Sequence, residues 1–140
     1  AYKGKFAAVG FLKSDGLNRR FWVSRYVNGV WLTSKAIDLA YGNVTWADLS
    51  VNQAGDVAAV YSMIGADGFE HVYGNIFISE WQGGEQLDNF TNFASVSATT
   101  KMRPSISIDE QGNALARFTI PDTAASFNPT RRRVAAVAYR

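Results

Sequence analysis

The chain has 140 residues, of which 47% are hydrophobic and 19% charged; this excludes a disordered chain and suits one packed globular region or part of a larger one. A net charge of +2 is too small to indicate nucleic acid by itself, and the absence of cysteine removes disulfides, thiolate metal sites and a cysteine nucleophile. No apolar run nears the roughly 20 residues of a membrane helix.

The chain starts Ala1-Tyr2-Lys3, without the apolar stretch of a signal peptide. A start at Ala predicts a processed product or an excerpt of a longer polypeptide. Lys5–Leu12 is an apolar strand, and Lys13-Ser14-Asp15-Gly16 turns the chain. Phe21–Tyr26 is the next strand; Val27-Asn28-Gly29 is a tight turn and Val30–Ser34 returns. An irregular piece through Gly42-Asn43 leads to the hairpin Leu49–Met63, whose two halves flank the turn Asn52-Gln53-Ala54-Gly55. After the turn Gly65–Gly68, Val72–Trp81 is a strand weakened or bulged at Gly74. Gln82-Gly83-Gly84 turns and Glu85–Leu87 returns. Asp88–Lys101 reads as a polar loop with a short ordered piece around Phe93–Val96. Ile106–Ile120 is a second hairpin, Asp122–Thr130 a loop, and Arg131–Arg140 a last strand with a basic start. No sustained helical apolar stripe occurs, so the chain reads as all-β.

The two hairpins are copies of each other. Ser50-Val51-Asn52 matches Ser107-Ile108-Asp109, Gly55 matches Gly112, Ala59 matches Ala116, and Tyr61 matches Phe118. Gly4–Val9 resembles Gly55–Val60 and supplies a truncated third copy. Val23-Ser24-Arg25-Tyr26 matches Ile78-Ser79-Glu80-Trp81, and Ile37-Asp38 matches Leu87-Asp88. The unit is about 50–57 residues and four strands, the range of propeller blades. Units at residues 1–38, 44–88 and 103–140 give about two and a half blades, fewer than the typical 4–8 of a closed ring. The expected fold is therefore an all-β, propeller-like repeat of antiparallel blades, part of a larger ring completed by further blades or further copies. A β-sandwich is the alternative.

The phrase Val23–Trp31, followed by Ile37-Asp38, resembles bacterial β-propeller repeats of the Asp-box and lectin-like kind. The resemblance covers essentially the whole chain. The Asp-box pattern S-x-D-x-G-x-x-W is departed from: Ser107–Gly112 has one residue too many before Gly, no Trp follows in place, and Asn52 replaces Asp in the other copy.

His71 is the only histidine, so triad or zinc chemistry lacks its partners. Asp15, Asp38, Asp67, Asp88, Asp109 and Glu110 fall at turns or strand ends, where Asx-turn chemistry accounts for them; a glycosidase would need two carboxylates converging about 5–10 Å apart. Arg19-Arg20 and Arg131-Arg132-Arg133 are basic clusters, readable as an anion patch or as charges that keep a sheet edge soluble. Trp22, Tyr26, Trp31, Trp46 and Trp81 are the aromatics able to stack on a sugar or to fill the space between sheets. The candidate ligand-binding set is Tyr26, Trp31, Trp81, Arg25 and Asn28, with no catalytic residue, metal or cofactor. The expected role is a non-catalytic structural or interaction module, extracellular or on a cell or particle surface, with a protein partner and possibly a carbohydrate. A lectin is the alternative and a sialidase-like hydrolase a weaker one. Two sequons, Asn43-Val44-Thr45 and Asn89-Phe90-Thr91, would matter only in a glycosylating host.

Overall fold

Strand-forming runs separated by Gly-containing turns produce, in the computed structural model, three antiparallel sheets and, among the described residues, no helix. Residues 1–88, 103–121 and 132–139 are described. The piece around Phe93–Val96, the sequon at Asn89, the loop Asp122–Thr130 and Arg131 lie outside them.

The first sheet contains β1 (Tyr2–Lys3), β2 (Phe6–Ser14), β3 (Arg19–Val27) and β4 (Val30–Trp31) in that order, with β5 (Lys35–Ala36) also paired to β3. The second runs β6 (Asn43–Val51), β7 (Val57–Ile64), β8 (Glu70–Phe77), β9 (Glu85–Gln86). The third is β10 (Ser105–Ile108), β11 (Ala114–Pro121), β12 (Arg132–Tyr139). Each sheet pairs sequence-adjacent strands in an antiparallel, blade-like arrangement.

The strands differ from the sequence reading at several places, and β6 starts at Asn43 rather than Leu49. Tyr2 and Lys3 form a short first strand on Ala7 and Phe6, held by the Ala1 ammonium donating to the Ala8 carbonyl at 2.7 Å. The return strand expected at Val30–Ser34 is split into β4 and β5. The β7–β8 register runs unbroken through Gly74, so the expected bulge is absent; the irregularity lies in β6, between Val44 and Trp46. Gly74 instead admits Leu87, whose Cδ1 would stand 3.1 Å from an added Cβ. Finally, β8 stops at Phe77, and Trp81 returns to it through an isolated bridge.

The two repeat hairpins have the same local chemistry. Asn52 Oδ1 accepts from the N–H of Ala54 and Asp56 at 3.0 and 2.9 Å, and Asp109 Oδ1 accepts from Gln111 and Asn113 at 2.9 and 2.8 Å. The partner side chains are interchanged. Asn52 Nδ2 donates to Asp56 Oδ2 and Asn113 Nδ2 donates to Asp109 Oδ2, both at 2.8 Å. Gly55 and Gly112 close the turns at φ 88° and 82°, a conformation L side chains rarely adopt.

β7 is buried on both faces because its sheet lies between the other two. Alternate side chains of a strand point to opposite faces. Val57, Ala59, Tyr61 and Met63 pack against Ala8, Phe21, Val23 and Ile37 of the first sheet. Val60, with Val72 and Leu87, packs against Ala116 and Phe118 of the third, and Ala58 with Ile76 against Ala114. Ala8 and Ala59 therefore lie on facing sides of one interface, whereas the second-sheet residues that look forward as Ala8 does are Ala58 and Val60, so the match read in the sequence places the two alanines on opposite kinds of face. A one-residue slip exchanges the faces of a strand, and here sidedness decides the register. Burying each valine, leucine, isoleucine, phenylalanine or methionine among them contributes roughly 1.5–3 kcal/mol, and each alanine less. Aromatic contacts add to this: Tyr61 stacks on Tyr73 with ring centroids 5.5 Å apart and meets Phe21 at 6.0 Å.

Candidate functional site

Where the first and second sheets diverge, a cleft of about 220 Å³ opens between β3 and the end of β8. β3 contributes Val23 and Arg25; the segment from β4 into β5 contributes Leu32, Thr33 and Lys35; Phe77 and the turn after it contribute Ser79, Glu80 and Trp81. The turn is held by Gln82 N–H donating to the Ile76 carbonyl at 2.9 Å. That contact folds the chain back so that Trp81 stands edge-on to Phe77, ring centroids 5.6 Å apart and planes at 69°.

Arg25 joins the two sheets at this cleft. Its guanidinium carbon lies 3.4 Å from the centre of the Phe77 ring, a cation–π contact, and Nη2 donates to the Gly55 carbonyl at 3.4 Å. Burial pulls the Arg25 pKa below the usual arginine value, and the charge of Asp56 partly opposes this; the group stays cationic at neutral pH. Trp81 thus presents apolar ring surface next to a Phe77 ring capped by Arg25, beside two cations, one carboxylate and the hydroxyls of Thr33 and Ser79. Such a wall suits the C–H face of a sugar, with the polar groups meeting its hydroxyls. The volume lies below the roughly 300–1,000 Å³ of drug-sized sites, so it suits one small ring.

A second, larger cleft of about 580 Å³ lies between β2 and β6. The pairing of β1 with Phe6 and Ala7 and of Ala1 with Ala8 bounds it at one end. Its walls are Val9, Gly10, Phe11 and Leu12 facing Thr45–Leu49. The carboxylate there, Asp48, already accepts from Ile106 N–H at 3.0 Å.

Of the candidate residues, Arg25 and Trp81 line the 220 Å³ cleft. Tyr26 and Trp31 pack on each other at 5.3 Å across the β3–β4 hairpin, away from that cleft. Asn28 has φ 50° and with Gly29 at φ 88° forms the hairpin turn. The sequence reading passed over Phe77, Thr33, Lys35 and Glu80. Their proximity comes from sheets that meet only in the fold, and Phe77 carries no local signal beyond ending a strand.

Other titratable groups singled out from the sequence are engaged elsewhere. Asp15 accepts from the N–H of Leu17 and Asn18 and from Arg20; those backbone bonds, with Arg20, hold its pKa at about 2. Arg20 pairs with Asp38 at 2.8 Å, and Asp38 also accepts from Phe21 N–H. Arg20 is therefore occupied by carboxylates rather than part of an open basic patch. Glu110 accepts from Gln53 N–H at 2.9 Å. His71 lies between Asp67 at 2.9 Å and Asp88 at 3.1 Å. Burial disfavours its charge, but the hydrogen bonds and charges of the two carboxylates outweigh that and raise its pKa. Asn43, the sequon residue, is exposed and accepts from Arg19 N–H at 2.8 Å. Among the described residues no three His, Asp or Glu side chains group to hold a metal ion, and no helix is long and apolar enough to cross a membrane.

No family model matches the chain, and no curated protein matches it. Among solved structures, one similar chain is a fucose lectin from Kordia zhangzhouensis, determined in complex with methyl-fucoside; the TM-score is 0.46 and the identity 12%, over 94% of this chain and 92% of that one. A likeness of that size carries no weight for ligand or activity.

Proposed function

We propose that this chain is a non-catalytic carbohydrate-binding module of lectin type, seating one sugar ring in the cleft between its first and second sheets. The observation that carries this reading is the wall itself: Trp81 and Phe77 edge-to-face, with Arg25 fixed over Phe77, and Lys35, Glu80, Thr33 and Ser79 around the rim. Aromatic surface for C–H groups beside charge-bearing and hydroxyl side chains is the chemistry that sugar recognition needs. Glu80 is the single carboxylate among the residues lining the cleft; paired-carboxylate hydrolysis needs two. The three sheets are read as blades of a propeller, and the module as acting outside cells or on a cell or particle surface, where glycans are displayed.

An array of neutral and acidic glycans, followed by calorimetry on hits, tests the proposal. At least one monosaccharide-terminated glycan is expected to bind, with affinity reduced tenfold or more by Trp81→Ala and by Glu80→Gln. Binding that ignores both substitutions but is abolished by Trp31→Ala would move the site to the β3–β4 hairpin and overturn the cleft assignment. Absence of any glycan binding by folded protein would overturn the lectin reading.

A further inference from the structure

The cleft between the first and second sheets carries more positive than negative charge. Arg25 and Lys35 are its cations, against the carboxylate of Glu80. Strand geometry brings the two cations together. Val23 and Arg25 point to the same face of β3, since side chains two apart share a face. Lys35 of β5 is the register partner of Val23. It therefore shares that face and stands diagonal to Arg25, at a spacing of roughly 7–8 Å between the backbones.

Neither charge is met by the chain itself. Among the described residues the carboxylate pairs of Lys and Arg are those of Lys3 and Arg20, and none includes Arg25, Lys35 or Glu80. Asp56, whose charge favours the cationic form of Arg25, is held by Asn52 Nδ2 at 2.8 Å and lies outside the cleft lining. Arg25 cannot swing away to water as a surface lysine can. The Phe77 ring beneath it and the Gly55 carbonyl hold the guanidinium in place. That carbonyl takes one N–H of the five a guanidinium offers. A fixed, partly buried guanidinium with a lysine beside it and no carboxylate on either is a site for an anion.

We propose that the ring seated in this cleft is an acidic sugar, whose anionic oxygen group, a carboxylate or a sulfate ester, lies between Arg25 and Lys35. The inference rests on the sugar reading above and narrows it to charged rings. Arg25 supplies N–H donors in a fixed plane, and Lys35 adds a mobile point charge. Glu80, when ionised, only accepts hydrogen bonds. It therefore takes hydroxyl protons and repels the anionic group, so the ring lies on Trp81 with its charged substituent turned toward β3 and β5 and a hydroxyl toward Glu80.

Calorimetry tests it with methyl glucuronide, methyl galacturonide and a sulfated methyl galactoside, each beside its neutral parent glycoside. At least one acidic ring is expected to bind about tenfold or more tighter than its parent, the scale of one charge-assisted hydrogen bond. The carboxylate and sulfate arms show which group is taken. Added salt should shrink the difference. Lys35 is exposed, so Lys35→Gln should fold by circular dichroism and lose most of the acidic preference, while Lys35→Arg should keep it. Neutral rings bound as tightly as acidic ones, or an acidic preference untouched by Lys35→Gln, overturn the acidic assignment and leave the sugar reading standing. If none of these rings binds, the acidic assignment falls, and the glycan array decides the sugar reading by itself.

Discussion

Asn52→Asp tests whether the two hairpins are built by one rule. Asn52 is 1% exposed. Its amide nitrogen donates to Asp56 Oδ2 at 2.8 Å and to the Asp109 carbonyl at 3.1 Å. The substitution keeps the two acceptor bonds to Ala54 and Asp56 N–H but removes both donors. It also brings a second carboxylate against Asp56. A hydrogen bond to a charged group contributes roughly 1.5–3 kcal/mol and an ordinary one roughly 0.5–1.5 kcal/mol; the Asp109 carbonyl keeps its bond from Gly112 N–H, so the loss should be about 2–4 kcal/mol. Adding Asp56→Asn recreates the Asp109–Asn113 pairing, in which the later residue supplies the amide. The double variant should regain about 2 kcal/mol, lacking only the bond to Asp109. Urea midpoints at constant m-value measure this as a double-mutant cycle. A double variant no more stable than Asn52→Asp alone would refute the equivalence of the hairpins.

Two further predictions concern stability. Gly42→Ala should destabilise by at least about 2 kcal/mol, because the new Cβ would stand 2.2 Å from the Ile64 carbonyl oxygen and the β6–β7 pairing that starts at Asn43 and Ile64 must shift; an unchanged thermal midpoint would contradict this. Because the folded-state pKa of His71 is raised, its stabilising contribution is fully present below the ordinary value of 6.5 and is lost as pH rises through the folded value. Denaturation of wild type and His71→Gln across that range should show their difference shrinking as pH rises, and a growing difference would reverse the assignment.

The turns and strands were legible because their causes are local. Asp15-Gly16 and Asn28-Gly29 set turns by side-chain bonding and positive φ, and the Ser50 and Ser107 hairpins announced each other by repetition. The sequence alone also determined that the chain is all-β and repeated, since period-two alternation and recurring Gly turns need no neighbours to be read. Tertiary structure decided the rest. Only the stacking of sheets shows that Ala8 and Ala59 face each other across one interface, because burial on one face or the other depends on what lies opposite. Only that stacking brings Arg25 over Phe77 and beside Trp81, groups more than fifty residues apart whose contact no local signal encodes.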